Sequence, residues 1–89
     1  MFFSKMNRLK IKVEIYSKPD CHLCDEAKTV LQRVRSRCPF EMIDVDITND
    51  QRRYNEYKEQ IPVIFINGRK AFKFRVDEKE FVKKLKQFI

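Results

Sequence analysis

Between residues 16 and 24 this chain changes its period, and that change limits its fold more than any other feature. Ile11, Val13 and Ile15 alternate with Lys12, Glu14 and Tyr16, the two-residue period of a strand. Pro19 disfavours a longer strand, and Asp20 is placed to cap a helix. Beyond it Leu23, Ala27, Val30, Leu31 and Val34 recur at helical spacing, with Asp25, Lys28, Gln32 and Arg33 off that face. Asp25 and Glu26 stand in the first turn, and Arg33, Arg35 and Arg37 near the end, as the helix dipole favours. Pro39 is expected to stop the helix. Cys21 and Cys24 open it. A helix N-terminus presents unpaired N–H groups and a positive dipole end, both of which favour thiolate over thiol. The thiolate is the form that attacks disulfides.

The rest of the chain continues this alternation of elements. Residues 40–46 read as a second strand, with alternation through Met42 and Ile43. Asn49 or Asp50 caps a second helix running to about residue 59, with Tyr54 and Tyr57 on its inward side. Residues 61–66 are almost wholly apolar, which predicts a strand covered on both faces. Asn67-Gly68 follows, containing the only glycine of the chain. It predicts a two-residue hairpin turn, because both turn positions need positive φ. Residues 69–74 are the return strand, and Asp77 caps a last helix packed through Phe81, Val82, Leu85, Phe88 and Ile89. The order is β-α-β-α-β-β-α. A right-handed crossover makes the first two strands parallel, and the tight turn makes the last two antiparallel. The expected fold class is α/β: a four-stranded mixed sheet with helices on both faces.

Eighty-nine residues make one domain, with residues 1–9 expected to form a flexible N-terminal extension. Hydrophobic residues are 43% of the chain and eight are Phe, enough for an interior without metal or structural disulfides. No apolar run approaches the roughly 18 residues that would span a bilayer, and no membrane partner is expected. Three cysteines are too few for a disulfide framework, and the odd count leaves one thiol unpaired. A reducing, cytoplasmic location is therefore expected. Lys5, Arg8, Lys10 and Lys12 precede the first acid, so an organellar leader is the alternative. The net charge is +7, which attracts phosphate polymers and acidic surfaces. Lys79, Lys83, Lys84 and Lys86, however, interleave with Glu78 and Glu80 as a solvated helical face. No aromatic–basic stripe accompanies the charge, and no nucleic-acid partner is expected.

Three motifs recur here in a fixed order: Tyr16-Ser17-Lys18-Pro19 before Cys21-His22-Leu23-Cys24, then Ile61-Pro62, then Phe65-Ile66-Asn67-Gly68. Together they resemble glutaredoxin-like proteins of the thioredoxin superfamily, over about residues 10–89. The resemblance implies a thioredoxin-like fold in which Pro62 is cis and faces the dithiol. It implies that the backbone of Ile61 pairs with an incoming peptide or glutathione strand, and that Lys18 meets a glutathione carboxylate. A solvated loop lysine is the alternative for Lys18. Classical glutaredoxins continue their hairpin into a Gly-Gly pair and an acid, where this chain has Phe72-Lys73 and Phe74-Arg75. Glycine lets a ligand approach the backbone closely, and Phe or Lys does not. With His22 in place of the usual proline, the pattern resembles that of the divergent glutaredoxin-like domain family.

The chemistry expected is thiol–disulfide exchange by an oxidoreductase acting in redox homeostasis and electron transport. Cys21 attacks, and Cys24, one turn further in, resolves the mixed disulfide. The substrate is a disulfide-containing protein or a glutathione mixed disulfide. The reductant is glutathione or a thioredoxin-type system, with no tightly bound cofactor and a monomeric enzyme. His22 is either a cation that lowers the Cys21 pKa or an exposed loop residue. Glu14 has uncertain parity on its strand, with exposure as the default. Cys38 is expected to pack at the helix end, about 14 residues or some 20 Å from Cys24. Cys21, Cys24 and Cys38 cannot complete a four-ligand zinc site, and no metal is expected. Two other functions compete. One is a non-enzymatic binding module that uses the groove at Ile61-Pro62 or the basic surface. The other is a dimer that carries an iron–sulfur cluster on shared cysteines.

Overall fold

The computed structural model describes residues 11–88, so the extension expected at residues 1–9 lies outside the described residues. The elements are β1 (Lys12–Ser17), α1 (His22–Arg35), β2 (Glu41–Asp46), a 3₁₀ turn (Ile47–Asn49), α2 (Gln51–Tyr57), β3 (Val63–Ile66), β4 (Arg69–Lys73) and α3 (Glu78–Lys86). The strands form one sheet in the order β2-β1-β3-β4. β1 runs parallel to β2, with Lys12 opposite Glu41 and Ser17 opposite Asp46. It runs antiparallel to β3, with Val13 opposite Ile66 and Tyr16 opposite Val63. β3 and β4 are antiparallel. This is the expected mixed sheet and connectivity.

Strand alternation then sorts the core into two layers. On one face Val13, Ile15, Ile64 and Ile66 pack against Ala27, Leu31 and Val34 of α1 and Phe81 and Leu85 of α3. On the other, Cys24, Ile47, Ile61 and Val63 are covered by Tyr16, Tyr54, Tyr57 and Phe65. β3 feeds both layers, which is why its sequence is an almost unbroken apolar run. Among the described residues no helix is long and apolar enough to cross a membrane.

Local structure departs from expectation at three helix ends. Asp20 does not cap α1; it takes a left-handed φ of 58°, and the cap passes to Cys21, whose backbone is extended at φ −111°. α1 ends at Arg35 rather than at Pro39. The amides of Arg37 and Cys38 both reach the Val34 carbonyl, at 2.9 and 2.8 Å, which satisfies the last turn early. Phe88 lies beyond the end of α3 and is 37% exposed, so it drops out of the expected packing stripe, and Ile89, expected to share that stripe, lies outside the described residues. Asp50 is the cap of α2, accepting from the amides of Arg52 and Arg53 at 2.9 and 3.2 Å.

The β3–β4 turn takes φ 49° at Asn67 and 85° at Gly68. Asn67 ties it to β1: its Oδ1 accepts from the Lys12 amide at 2.9 Å, and its amide donates to the Lys12 carbonyl at 2.8 Å. A Cβ on Gly68 would meet no atom within 4 Å, so only the backbone objects to a side chain there. Gly68→Ala should cost about 1–2 kcal/mol, the left-handed penalty of an L residue. The check is a lower urea midpoint at an unchanged m-value.

Glu78, at the start of α3, clamps the end of α1 by accepting from Arg33 Nε and Arg37 Nη2, each at 2.9 Å. The hydrogen bond from Arg33, then that from Arg37, holds its carboxyl below the ordinary value against partial burial. The Thr48 hydroxyl and amide do the same for Asp46, and the Arg53 amide for Asp50. Each of these carboxyls binds its proton more readily in the unfolded chain. The stability each adds is therefore complete above the ordinary carboxylate range, and is lost as pH falls through the lowered folded values. Urea titrations should show a plateau above about pH 5 and a decline below about pH 4. In Glu78→Gln the plateau should be lower and the decline shallower, with the difference shrinking in high salt.

Candidate active site

The site lies where β1 ends and α1 begins. Ser17, the last residue of β1, is buried, and its hydroxyl donates to Asp44 Oδ1 at 2.9 Å. Lys28 Nζ of α1 holds the other carboxylate oxygen, Asp44 Oδ2, at 2.8 Å. These contacts fix the strand end against both β2 and the helix. The turn through Lys18, Pro19 and Asp20 then delivers Cys21 to the N-cap position.

Cys21 Sγ accepts from the Cys24 amide at 3.2 Å, the bond that a serine or aspartate cap would make. The sulfur thus satisfies one of the orphan donors of the helix, in a position where negative charge is favoured. Cys21 is half-buried. Cys24 has no exposed surface and sits among Ile47, Ile61 and Val63. The two are joined as a disulfide, with Cα atoms 5.2 Å apart. One sulfur is therefore presented at the surface and the other is screened behind it.

Ile61 lies against this pair, with Pro62 next to it in the chain. The Ile61–Pro62 peptide is cis, both residues are buried, and Ile61 shares the apolar cluster of Cys24 with Cys21 packed against it. The Pro62 carbonyl accepts from the Phe74 amide at 2.8 Å. An aromatic wall continues the cluster: the Tyr16 ring lies 5.0 Å from that of Tyr57 and 4.7 Å from that of Phe65. The Arg53 guanidinium stands 5.6 Å over the Tyr16 ring. Burial pushes the Tyr57 hydroxyl pKa up.

Lys18 is half-buried in the turn that leads to Cys21. His22 is 86% exposed, and its Nε2 lies 3.0 Å from Glu26 Oε2, one helical turn on. The ring is thus engaged along the helix surface, as side chains at i and i+4 are. Glu26 Oε1 lies 3.7 Å from Arg75 Nη1, so this carboxylate links α1 to the segment between β4 and α3. The i, i+4 spacing from His22 marks Glu26 in the sequence, but its reach to Arg75 depends on the fold.

Phe74 is the other residue that sequence reasoning passed over as part of a strand. β4 stops at Lys73, and Phe74 takes φ 71°. The Arg75 amide bonds to the Lys73 carbonyl at 2.9 Å, closing a three-residue turn of a rarely populated kind. Phe74 is 43% exposed beside the site. Two residues lie apart from the site. Cys38 is a free thiol packed against the opposite core layer, and Glu14 is half-buried mid-strand, between Ile43 and Phe65. Among the described residues no group of three His, Cys, Asp or Glu side chains is arranged to hold a metal.

A disulfide at the start of α1, a cis Ile61–Pro62 peptide and a four-stranded mixed sheet define a protein of the thioredoxin fold. Residues 12–86 match the Glutaredoxin-like domain (DUF836) family, and the chain belongs to it. A "Glutaredoxin-like protein YDR286C homolog" of Dictyostelium discoideum is 30% identical over 80 residues, spanning 82% of this chain and 74% of that one. Among solved structures, target protein XcR50 of X. campestris superposes with a TM-score of 0.72 at 26% identity, covering 84% of this chain and 96% of its own. Mitochondrial thioredoxin 3 of Saccharomyces cerevisiae shares the fold, with a TM-score of 0.66 at 14% identity over 97% of this chain and 86% of its own.

Proposed function

We propose that this chain is a thiol–disulfide oxidoreductase whose nucleophile is Cys21. In the reduced protein the Cys21 thiolate attacks one sulfur of a substrate disulfide. A Cys21–substrate disulfide forms, and the other substrate sulfur leaves as a thiolate that takes up a proton. Cys24, deprotonated in turn, attacks Cys21 Sγ and expels the second substrate thiol. Two electrons have then passed from the dithiol to the substrate, and the enzyme disulfide remains. Two thiols, from glutathione or from a dithiol protein of the thioredoxin class, restore the reduced form. The backbone at Ile61 would align the substrate chain, and the Lys18 ammonium would meet a carboxylate on it. One chain supplies all of these groups, so a monomer suffices.

One observation carries the reading: the accessible sulfur of the pair accepts a helix-terminal amide, while its partner is fully buried. The amide and the dipole favour the thiolate on Cys21, and burial keeps Cys24 from reacting until a mixed disulfide comes within reach. The test is a disulfide-reduction assay on the full chain with glutathione, or with a thioredoxin-type system, as reductant. Turnover and a dithiol potential between about −120 and −270 mV, the range of thioredoxin-fold oxidoreductases, are expected. A potential far outside that range with no turnover would leave a binding module with an idle disulfide.

A further inference from the structure

We infer that Glu26 is a positioning residue for the thiol chemistry: it holds the His22 ring along α1 and offsets the charge of that ring beside Cys21. The inference rests on the oxidoreductase reading and names a residue that acts on the same sulfur. His22 stands between the two cysteines and is the only histidine of the chain. Its Nε2 lies 3.0 Å from Glu26 Oε2. The other oxygen of that carboxylate lies 3.7 Å from Arg75 Nη1. Arg75 follows Phe74, whose amide donates to the Pro62 carbonyl at 2.8 Å. Ile61, before Pro62, packs in the cluster that holds both cysteines. These contacts close a ring around the disulfide, and Glu26 supplies its only carboxylate.

Charge gives the ring of contacts its consequence. An imidazolium beside an attacking sulfur favours thiolate over thiol. Histidine changes charge near neutrality, so that help comes and goes across the physiological range. A carboxylate one helical turn on answers the positive charge of the imidazole and draws it along the helix surface. With Glu26 in place, the Cys21 thiolate is stabilised mainly by the Cys24 amide and the helix dipole, neither of which titrates. The other charged groups nearby are fewer than the sequence suggests. Asp25 adjoins Glu26 on α1, and Lys18 and Asp20 precede Cys21 in its turn. Lys28 is held by Asp44 at 2.8 Å. After β4, Lys73 Nζ lies 5.4 Å over the Phe74 ring, and Asp77 caps α3 by accepting from the Glu80 amide at 3.0 Å. Among the described residues, Glu26 is the carboxylate paired with His22.

The test is the rate at which iodoacetamide alkylates Cys21 in the reduced full-length protein. Mass spectrometry follows it from about pH 5 to about pH 8, the window in which histidine changes charge. Wild type, Glu26→Gln, His22→Gln and the double variant form a double-mutant cycle, in which charges common to all four cancel. With His22 present, Glu26→Gln should raise the rate about two- to fivefold at about pH 5.5, the scale of an exposed charge pair. The gain should fade towards about pH 8 and in high salt. In the His22→Gln background the same substitution should have a smaller effect that does not vary with pH. Equal gains with and without His22, or no gain with it, would overturn the inference while leaving the dithiol chemistry standing. A Cys21 that reacts no faster than an ordinary thiol, with no disulfide turnover, would instead sink the oxidoreductase reading. The His22 ring protons, followed by NMR over the same pH range, would then decide the role of Glu26. Signals that titrate differently in wild type and Glu26→Gln sustain it, and identical titrations overturn it.

Discussion

Cys21→Ser should abolish disulfide reduction, a fall of about a thousandfold or more to the uncatalysed background. A serine hydroxyl can still cap α1 by accepting from the Cys24 amide, because the bond uses only a lone pair on the side chain. The helix start should therefore survive, and the variant should unfold at close to the same urea concentration once both proteins are compared in reduced form. Cys24→Ser should behave differently. It keeps the nucleophile and loses the resolving sulfur, so the protein should accumulate as a covalent adduct with half of the substrate. Mass spectrometry of the intact adduct, and its release by dithiothreitol, would record this. Equal adduct formation by the two variants would contradict the assignment of the exposed sulfur as attacker and the buried one as resolver.

The largest effect on stability is expected at Phe81. Its ring has no exposed surface and lies 5.7 Å from that of Phe40 and 6.1 Å from that of Phe72. α3 is thereby fastened to the loop before β2 and to the edge strand β4 at once. Phe81→Ala removes the transfer free energy of the ring and leaves a void between rigid neighbours, at a cost of about 3–5 kcal/mol. A domain of this size holds about 5–15 kcal/mol in all, so the melting temperature should drop by more than about 15 °C. Phe88, past the end of the same helix, is the internal control. Phe88→Ala should change stability by no more than about 0.5 kcal/mol. Comparable losses for the two would mean that α3 is held by something other than the core beneath it.

The element order was legible because each signal involved was local. Alternation at Val13 and Ile15, helical spacing from Leu23 to Val34 and the positive-φ pair Asn67-Gly68 each report on neighbours a few residues away. The cysteine pair was legible for the same reason, since its meaning depends on where a helix begins. Two details escaped because backbone geometry, not residue preference, decided them. Asp20 is the better cap by composition, but it adopted a left-handed turn and the cap went to the sulfur of Cys21. Val34 and Ser36 closed the end of α1 before Pro39 was reached, since amides from the next residues had already found its last carbonyls.

The chain alone therefore determined the class of fold and the membership of Cys21 and Cys24 in one helix start, since both follow from short-range periodicity and from the few ways a β-α-β-α-β-β-α order can pack. That Ile61-Pro62 meets the pair was implied only by the resemblance to glutaredoxin-like proteins. Only the tertiary structure decided which sulfur is covered, because burial of Cys24 depends on Ile47, Ile61 and Val63 arriving from distant parts of the sequence. The link from Glu26 to Arg75 was likewise decided only there. Segments separated by some fifty residues meet at these places, and no local pattern encodes the distance between them.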